Sequence, residues 1–152
     1  MLNFENCANV LKEYVENKLN QAYPNIKIEF GKYGQLPAQT PVVLIYCEPM
    51  GEISRAAFSY IYERKMRVNF FICESDNEPH YAILKANEIT ELLEKALYDF
   101  ETYANNSPLN INNKPTQIEF VDKPISFDGY YSDLAVINLE CLISYAPFFE
   151  ST

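Results

Sequence analysis

The chain has 152 residues, 48% of them hydrophobic and 14% aromatic, and its 21 acidic and 12 basic residues give a net charge of −9. This length and composition fit one domain with enough apolar material for a core that needs neither metal nor disulfides. The acidic balance argues against general binding of DNA or RNA, because such a surface repels a phosphate backbone.

Four cysteines, Cys7, Cys47, Cys73 and Cys141, lie far apart in apolar segments. No close-spaced pair of ligands typical of a zinc site is present, so we interpret them as reduced, buried thiols. The first ten residues lack a positive region followed by an apolar stretch, which argues against a secretory signal peptide. No apolar run reaches the roughly 20 residues needed to cross a bilayer. We therefore expect a soluble protein made in the cytoplasm.

The first predicted element is an amphipathic helix over residues 3–22. Apolar side chains recur there every three or four residues and form one stripe: Phe4, Cys7, Val10, Leu11, Tyr14, Val15 and Leu19. Pro24 ends the helix, because the residue before a proline is disfavoured in the helical region. Alternating apolar residues then predict a short strand over residues 26–30, and glycines and prolines predict a loop over residues 31–41.

The middle of the chain predicts three strands and a second helix. A continuous apolar run indicates a buried strand over residues 42–48, and two more strands are expected over residues 56–63 and 65–74. No Asn-Gly or Asp-Gly pair marks a tight turn near Arg64, so one continuous bent strand is an alternative to the last two. Helical spacing predicts the second helix over residues 82–103.

The last part of the chain predicts a hairpin with strands over residues 116–121 and 134–146 and a long connection over residues 122–133. From Leu134 to Tyr145 the pattern alternates almost without fault, which is typical of a strand with one face on a core. One side has Ala135, Ile137, Leu139, Cys141, Ile143 and Tyr145, and the other has Val136, Asn138, Glu140, Leu142 and Ser144. Residues 1–152 are thus predicted to form a single α+β domain. Its order is α-β-β-(β-β)-α-β-β, with two amphipathic helices packed on a largely antiparallel sheet.

Little in the sequence points to catalysis. The only histidine, His80, alternates with Asp76 and Glu78, so on an extended strand the three would point together toward a cation. The same cluster is typical of a solvated turn, which is the interpretation that we favour. The glycines form neither a phosphate-binding loop nor a nucleophile elbow. We predict no catalytic residues, no metal site, no cofactor and no enzymatic activity.

Two groups of residues are predicted to form contact surfaces. The first is a basic cluster that would dock on an acidic surface, such as that of a neighbouring copy. Its members are Arg55, Arg64, Lys65 and Arg67. The alternative for this cluster is ordinary solvated charge at strand ends. The second group is aromatic and lies in the 122–133 connection, where tyrosine would bury a large area and keep a polar tip. Its members are Phe127, Tyr130 and Tyr131.

The order of these elements, over nearly the whole chain, resembles the tail-terminator (tail-completion) proteins of long-tailed bacteriophages and prophages. Four segments carry the resemblance: the N-terminal helix, the Pro-rich loop, the mid-chain helix and the last strand, at residues 4–19, 35–41, 89–103 and 134–141. Neck and head–tail joining proteins of similar size share this pattern. The basic cluster and the long 122–133 connection are not part of the resemblance.

The resemblance implies a structural role without catalytic residues. Such proteins form a hexameric ring on the tail tube, stop its polymerisation and provide the head-attachment surface. The implied partners are further copies of the chain, a tail-tube protein and a head–tail connector protein, with no sequence-specific nucleic acid and no membrane. The implied location is the tail or neck of the virion, after assembly in the bacterial host cytoplasm.

Two other functions stay open at this point. One is an α+β module that binds a small molecule or a peptide, which a stable monomer with a deep apolar pocket would favour. The other is a small metal-dependent enzyme that uses Asp76, Glu78 and His80, which bound metal in the purified protein would favour.

Overall fold

A computed structural model describes residues 4–31, 39–55, 62–100, 102–103, 117–131 and 133–145. Of residues 51–55, 62–63 and 131 it describes the backbone alone. Within these ranges it contains two helices and five strands: α1 (Phe4–Ala22), β1 (Lys27–Phe30), β2 (Val42–Arg55), β3 (Tyr62–Ser75), α2 (Pro79–Tyr98), β4 (Gln117–Tyr131) and β5 (Leu134–Tyr145). The predicted α+β fold is confirmed.

The strands form one mixed sheet in the order β1-β2-β3-β5-β4. β1 runs parallel to β2, whereas every other neighbouring pair is antiparallel. The sheet is therefore largely antiparallel, as the sequence predicts. Its two edges differ strongly, because β1 has four residues and β4 has fifteen.

One face of the sheet carries both helices and the main core. Side chains alternate between the two faces of a strand, so every second residue of β3 and β5 points to the helices. The register aligns Phe70 with Leu139 and Ile72 with Ile137, and all four side chains are buried. The helices complete the core with their apolar stripes: Cys7, Val10, Leu11, Val15 and Leu19 from α1, and Ala82, Ala86, Ile89, Leu93 and Leu97 from α2. Burial of one such large side chain stabilises the fold by about 1.5–3 kcal/mol.

A buried tyrosine joins the two helices. The Tyr14 hydroxyl of α1 donates a hydrogen bond to the backbone carbonyl of Ala96 in α2. Its ring centroid lies 5.4 Å from that of Phe100 and 4.7 Å from that of Tyr103. Aromatic pairs at these distances add to the stability that burial alone supplies. We call this contact the Tyr14 link.

The opposite face of the sheet carries no helix in the described part of the chain and is divided into two halves. One half is an apolar cluster in which five side chains are buried: Val42, Phe71, Cys73, Leu134 and Val136. The other half is polar and carries Lys65 and Arg67. Between them lies Asn138, whose buried Oδ1 accepts no hydrogen bond from any described group.

β3 differs from the prediction because it runs without a break through Arg64. It is continuous from Tyr62 to Ser75, which agrees with the alternative of one continuous strand. Residues 56–61 of the predicted strand over residues 56–63 lie outside the described residues. β2 extends beyond residue 48 to Arg55, because a register shift between Pro49 and Ile53 lets it keep its pairing with β3.

β4 also differs from the prediction, since residues 122–131 are strand rather than connection. Pro124 and Gly129 interrupt the apolar pattern and make these residues resemble a loop. In the structure the register shifts between Phe120 and Ile125 and again between Phe127 and Gly129. Such β-bulges accommodate a proline and a glycine within a strand.

The second helix starts three residues earlier than predicted. Its N-cap is Glu78, and Pro79 occupies the first turn, where a missing N–H group costs nothing. The regular helix ends at Tyr98, and the N–H of its C-cap Asp99 donates to the carbonyl of Ala96.

Candidate interaction surfaces

The structure separates the basic residues that the sequence groups together. Lys65 and Arg67 lie on the face of the sheet opposite the helices, since the residues that alternate with them are buried on the helix side. The side chain of Arg64 points to the helix-bearing face, where its register partner Tyr145 lies. Arg55 ends β2, and its side chain is outside the described part. The predicted basic cluster is thus not one patch.

Two of these cations already have partners within the chain. Lys65 Nζ lies 3.4 Å from Glu119 Oε2, and Arg67 Nε lies 3.2 Å from Glu140 Oε1. Both carboxylates come from strands that are distant in sequence. Exposed ion pairs of this kind contribute about 0–1 kcal/mol. The contacts agree with the alternative interpretation, ordinary paired charge on a strand surface.

Tyr130, predicted as a contact residue, has a role inside the fold. Its ring packs against the main core, and its hydroxyl lies 2.8 Å from the carbonyl oxygen of Asp76 and 3.1 Å from Oδ1 of Asp133. Desolvation and the hydrogen bond to Asp133 raise the pKa of Tyr130. The contacts hold the end of β4 against the loop before α2. Tyr131 follows at the end of β4, and its side chain is outside the described residues.

Phe127 is exposed and lies in the second half of the edge strand β4. The residue is 53% exposed, and Ile125, two residues earlier, is 38% exposed. Their register partners in β5, Ile137 and Leu139, point to the helices, so both side chains lie on the helix-bearing face. An exposed edge strand with apolar side chains is a template for pairing with another chain. We call Ile125 and Phe127 the β4 edge patch.

A groove of about 530 Å³ opens at the other edge of the sheet, between the first turns of α1 and the adjacent parts of β1 and β2. Its lining is mostly apolar: Phe4, Glu5, Ala8, Asn9, Phe30, Gly31, Ile45, Tyr46 and Cys47. Phe30, at the end of β1, is 46% exposed. The volume lies within the range of small-molecule pockets, about 300–1,000 Å³. We call it the α1–β2 groove.

The cysteine in this groove is a neutral thiol at physiological pH. Burial raises the pKa of Cys47 to about 11. Burial is also the first cause that raises the pKa of the other three thiols to about 12: Cys7, Cys73 and Cys141. Because the thiolate is the reactive form, none of these cysteines is activated as a nucleophile.

The three residues considered as metal ligands lie at the start of α2, where Glu78 is the N-cap. Oδ1 of Asp76 accepts from the N–H of Glu78 at 2.9 Å, and Oε1 of Glu78 accepts from the N–H of His80 at 3.3 Å. Lys85 Nζ lies 2.9 Å from Oδ2 of Asp76. The hydrogen bond from Glu78 and the one from Lys85 lower the pKa of Asp76. In the described part of the chain, no three His, Cys, Asp or Glu side chains are placed to hold a metal ion.

Neither the β4 edge patch nor the α1–β2 groove was fully predicted. Phe127 was expected to be exposed, but in a connection rather than on an edge strand. The groove was missed because its walls come from segments about 40 positions apart, which no local motif brings together. Phe30 gave the only local signal, as a large apolar residue at the end of a short strand.

Comparisons with known proteins do not assign a family. No protein-family model and no curated protein matches the chain. One solved structure aligns over 95% of this chain and 98% of its own, with 12% identity and a TM-score of 0.37, and its designation indicates no function. A likeness at this TM-score carries no argument. Neither helix of the described residues combines the length and apolar character needed to cross a bilayer.

Proposed function

We propose that the protein is a structural component of a bacteriophage or prophage tail, either a tail terminator or a closely similar neck protein. In this role it forms a ring of six copies on the end of the tail tube, stops tube polymerisation and provides the head-attachment surface. Its partners are other copies of itself, the tail-tube protein and the head–tail connector. It acts in the virion after assembly in the host cytoplasm, and it performs no catalysis.

The main support is the difference between the two edges of the sheet. A ring requires a heterologous interface, in which two unlike surfaces of each copy meet. One edge of this sheet presents the exposed side chains of Ile125 and Phe127, and the other has the α1–β2 groove. A single chain thus carries two unlike apolar surfaces at opposite ends of one sheet.

The charged residues support the part of the proposal that assigns no catalysis to this protein. Glu78 caps α2, Asp76 accepts from the N–H of Glu78, and Arg67 pairs with Glu140, so these charged side chains have roles within the fold. The order of helices and strands also retains the features on which the resemblance to tail terminators rests, an N-terminal amphipathic helix and a terminal hairpin.

The decisive experiment is tube assembly with the tail-tube protein of the same phage or prophage genome. Tube protein alone should polymerise without a defined end, whereas added terminator should give capped tubes with a six-fold ring visible by electron microscopy. An unrelated acidic protein of similar mass is the control. Tubes of unchanged length with no bound protein would contradict the proposal.

The α1–β2 groove also favours a second function, binding of a small molecule or a short peptide. Its volume of about 530 Å³ and its largely apolar lining suit such a ligand. A screen of apolar fragments and peptides by NMR would test this function, with Asn9→Trp as a variant that fills the groove from an exposed position. Shifts confined to groove residues, and lost in the variant, would support ligand binding.

A further inference from the structure

We infer that the two edges of the sheet are the two halves of one contact, in which the β4 edge patch of one copy enters the α1–β2 groove of the next. The partner is a second copy of this chain, arranged head to tail. The inference rests on the proposed function for its choice of partner, and it identifies the surfaces through which the ring would close.

Both surfaces lie on the same side of the sheet. Phe127 shares the helix-bearing face with its register partner Ile137. In the groove, Ile45 is part of the main core and Cys47 packs against it, so this wall also belongs to the helix-bearing face. If β4 of one copy lies along the outer edge of β2 of the next, the sheet continues across the contact, and Phe127 points to the side on which the groove opens.

The strand edges at these places suit such pairing. β1 pairs with β2 only as far as Ile45. From Cys47 to Arg55 no strand among the described residues lies on that side of β2, and none lies outside β4. An open strand edge offers a row of backbone donors and acceptors to an added strand, while pockets beside it accept alternate side chains.

The chemistry of the two surfaces is complementary. Ile125 and Phe127 point to the same side and are about 7 Å apart along the strand, so both can enter one elongated apolar groove. Two exposed patches offer each other no groove, whereas a patch and a groove bury apolar surface from both partners. The shapes of the two surfaces therefore favour the head-to-tail orientation over contact of like surfaces.

A disulfide trap tests the contact directly, because Cys47 is already in the groove. The variant Phe127→Cys should form an intermolecular disulfide with Cys47 under mild oxidation, visible as dimers and larger species on a non-reducing gel and mapped by peptide mass spectrometry. The matched control is Ser126→Cys, an exposed neighbour whose side chain points to the other face. We expect at least a tenfold larger linked fraction for Phe127→Cys, and its loss when Cys47→Ser is added.

Because the trap captures brief encounters, it is informative even if the chain is monomeric on its own. Disulfides mainly between two copies of the introduced thiol would indicate pairing of like edges and would overturn the inference, as would equal linking in the Ser126→Cys control. Capping of tubes with a failed trap would leave the proposed function standing and this contact wrong. A successful trap without capping would support this contact and contradict the proposed function.

A mixing experiment gives an independent answer. Phe127→Asp removes the apolar side chain, and Asn9→Trp fills the groove. In a head-to-tail contact each variant alone loses self-association, but an equimolar mixture forms a one-to-one dimer, since each copy retains one working surface. Leu84→Asp, an exposed position on α2, should behave like the unaltered chain. Sedimentation velocity measures the two variants, their mixture, Leu84→Asp and the unaltered chain, and a mixture that stays monomeric while the unaltered chain associates would refute the inference.

Discussion

The two faces of strand β3 show how differently one segment can contribute to this fold. Phe70 points to the helices and is fully buried, whereas Arg67, three residues earlier, points to the opposite face and is exposed. The first side chain removes apolar surface from water, and the second makes one exposed ion pair with Glu140. Stability therefore resides mainly on the helix-bearing face, and the polar half of the other face tolerates change.

The opposite face is nevertheless not uniformly polar. At its other half Cys73 and Val136 are as fully buried as the residues beneath the helices. Near one end of the sheet, side chains are buried on both faces. Near the other end, the helix-bearing face is buried and the opposite face is exposed to solvent. The following measurements test this division, in order of decreasing effect.

Phe70→Ala should destabilise the protein by about 3–5 kcal/mol, since it removes a fully buried ring and leaves a cavity in the main core. Urea denaturation followed by circular dichroism measures the loss. The matched control is Phe127→Ala, which removes the same ring from an exposed site and should cost less than about 1 kcal/mol. Equal losses for the two variants would contradict the division.

Alkaline pH should destabilise the protein through its buried thiols. Burial raises the pKa of Cys141 to about 12 from an ordinary 9.0, so between these values the unfolded state has lost a proton that the folded state keeps. Stability contributed by this thiol is complete below pH 9 and falls as the pH rises toward 12, by about 1.4 kcal/mol per pH unit.

Cys141→Ala removes this contribution and should flatten the dependence of unfolding free energy on pH above 9. Cys73→Ala should flatten it equally, because the pKa of Cys73 is also raised to about 12 although it lies on the other face. The slope is the readout, since either replacement also changes packing at neutral pH. If Cys141→Ala alone changes the slope of unfolding free energy against pH, the thiol of Cys73 is exposed to solvent and the apolar half of the opposite face is not buried.

Tyr14→Phe should cost about 1–2 kcal/mol, because it removes a buried hydrogen bond and leaves the carbonyl of Ala96 without that donor. Tyr23→Phe is the control, since its hydroxyl donates to Glu88 at 2.8 Å in an exposed position and should contribute less than about 0.5 kcal/mol. Chemical denaturation of both variants measures the difference. A larger loss for Tyr23 would mean that the Tyr14 link is not a main contact between the helices.

Arg67→Ala should have the smallest effect, about 0–1 kcal/mol, since its ion pair with Glu140 is exposed. A double-mutant cycle with Glu140→Ala isolates the energy of the pair, and added salt should reduce it further. A coupling energy well above 1 kcal/mol would show that the polar half of this face is structurally important after all.

The parts of the fold that follow from local pattern were predictable. The alternation in the second half of Leu134–Tyr145 marks β5, and the helical stripe ending at Leu19 marks α1, because there burial follows the period of the backbone. At the start of β5 both faces are buried, since Leu134 and Val136 belong to the apolar cluster on the opposite face. The second half of β4 could not be recognised, since Pro124 and Gly129 break the alternation and only the bulges opposite β5 reveal how the strand continues.

The candidate surfaces were less predictable, for two physical reasons. Arg64 and Lys65 were grouped because they are adjacent, although adjacent residues of one strand point to opposite faces once the strand is known to be continuous. The groove brings Phe4 and Phe30 beside Cys47, a juxtaposition that depends on how α1 packs against the sheet edge. No spacing in the sequence contains that information.

The Tyr14 link has a consequence for the newly made chain. Its donor and acceptor are 82 positions apart. At a synthesis rate of about 5–20 residues per second, Tyr14 is made roughly 4–16 s before Ala96, whose carbonyl accepts the hydrogen bond from its hydroxyl. During that interval the apolar stripe of α1 has no second helix to cover it. Packing between the two helices, and with it closure of the main core, therefore waits until α2 has been made.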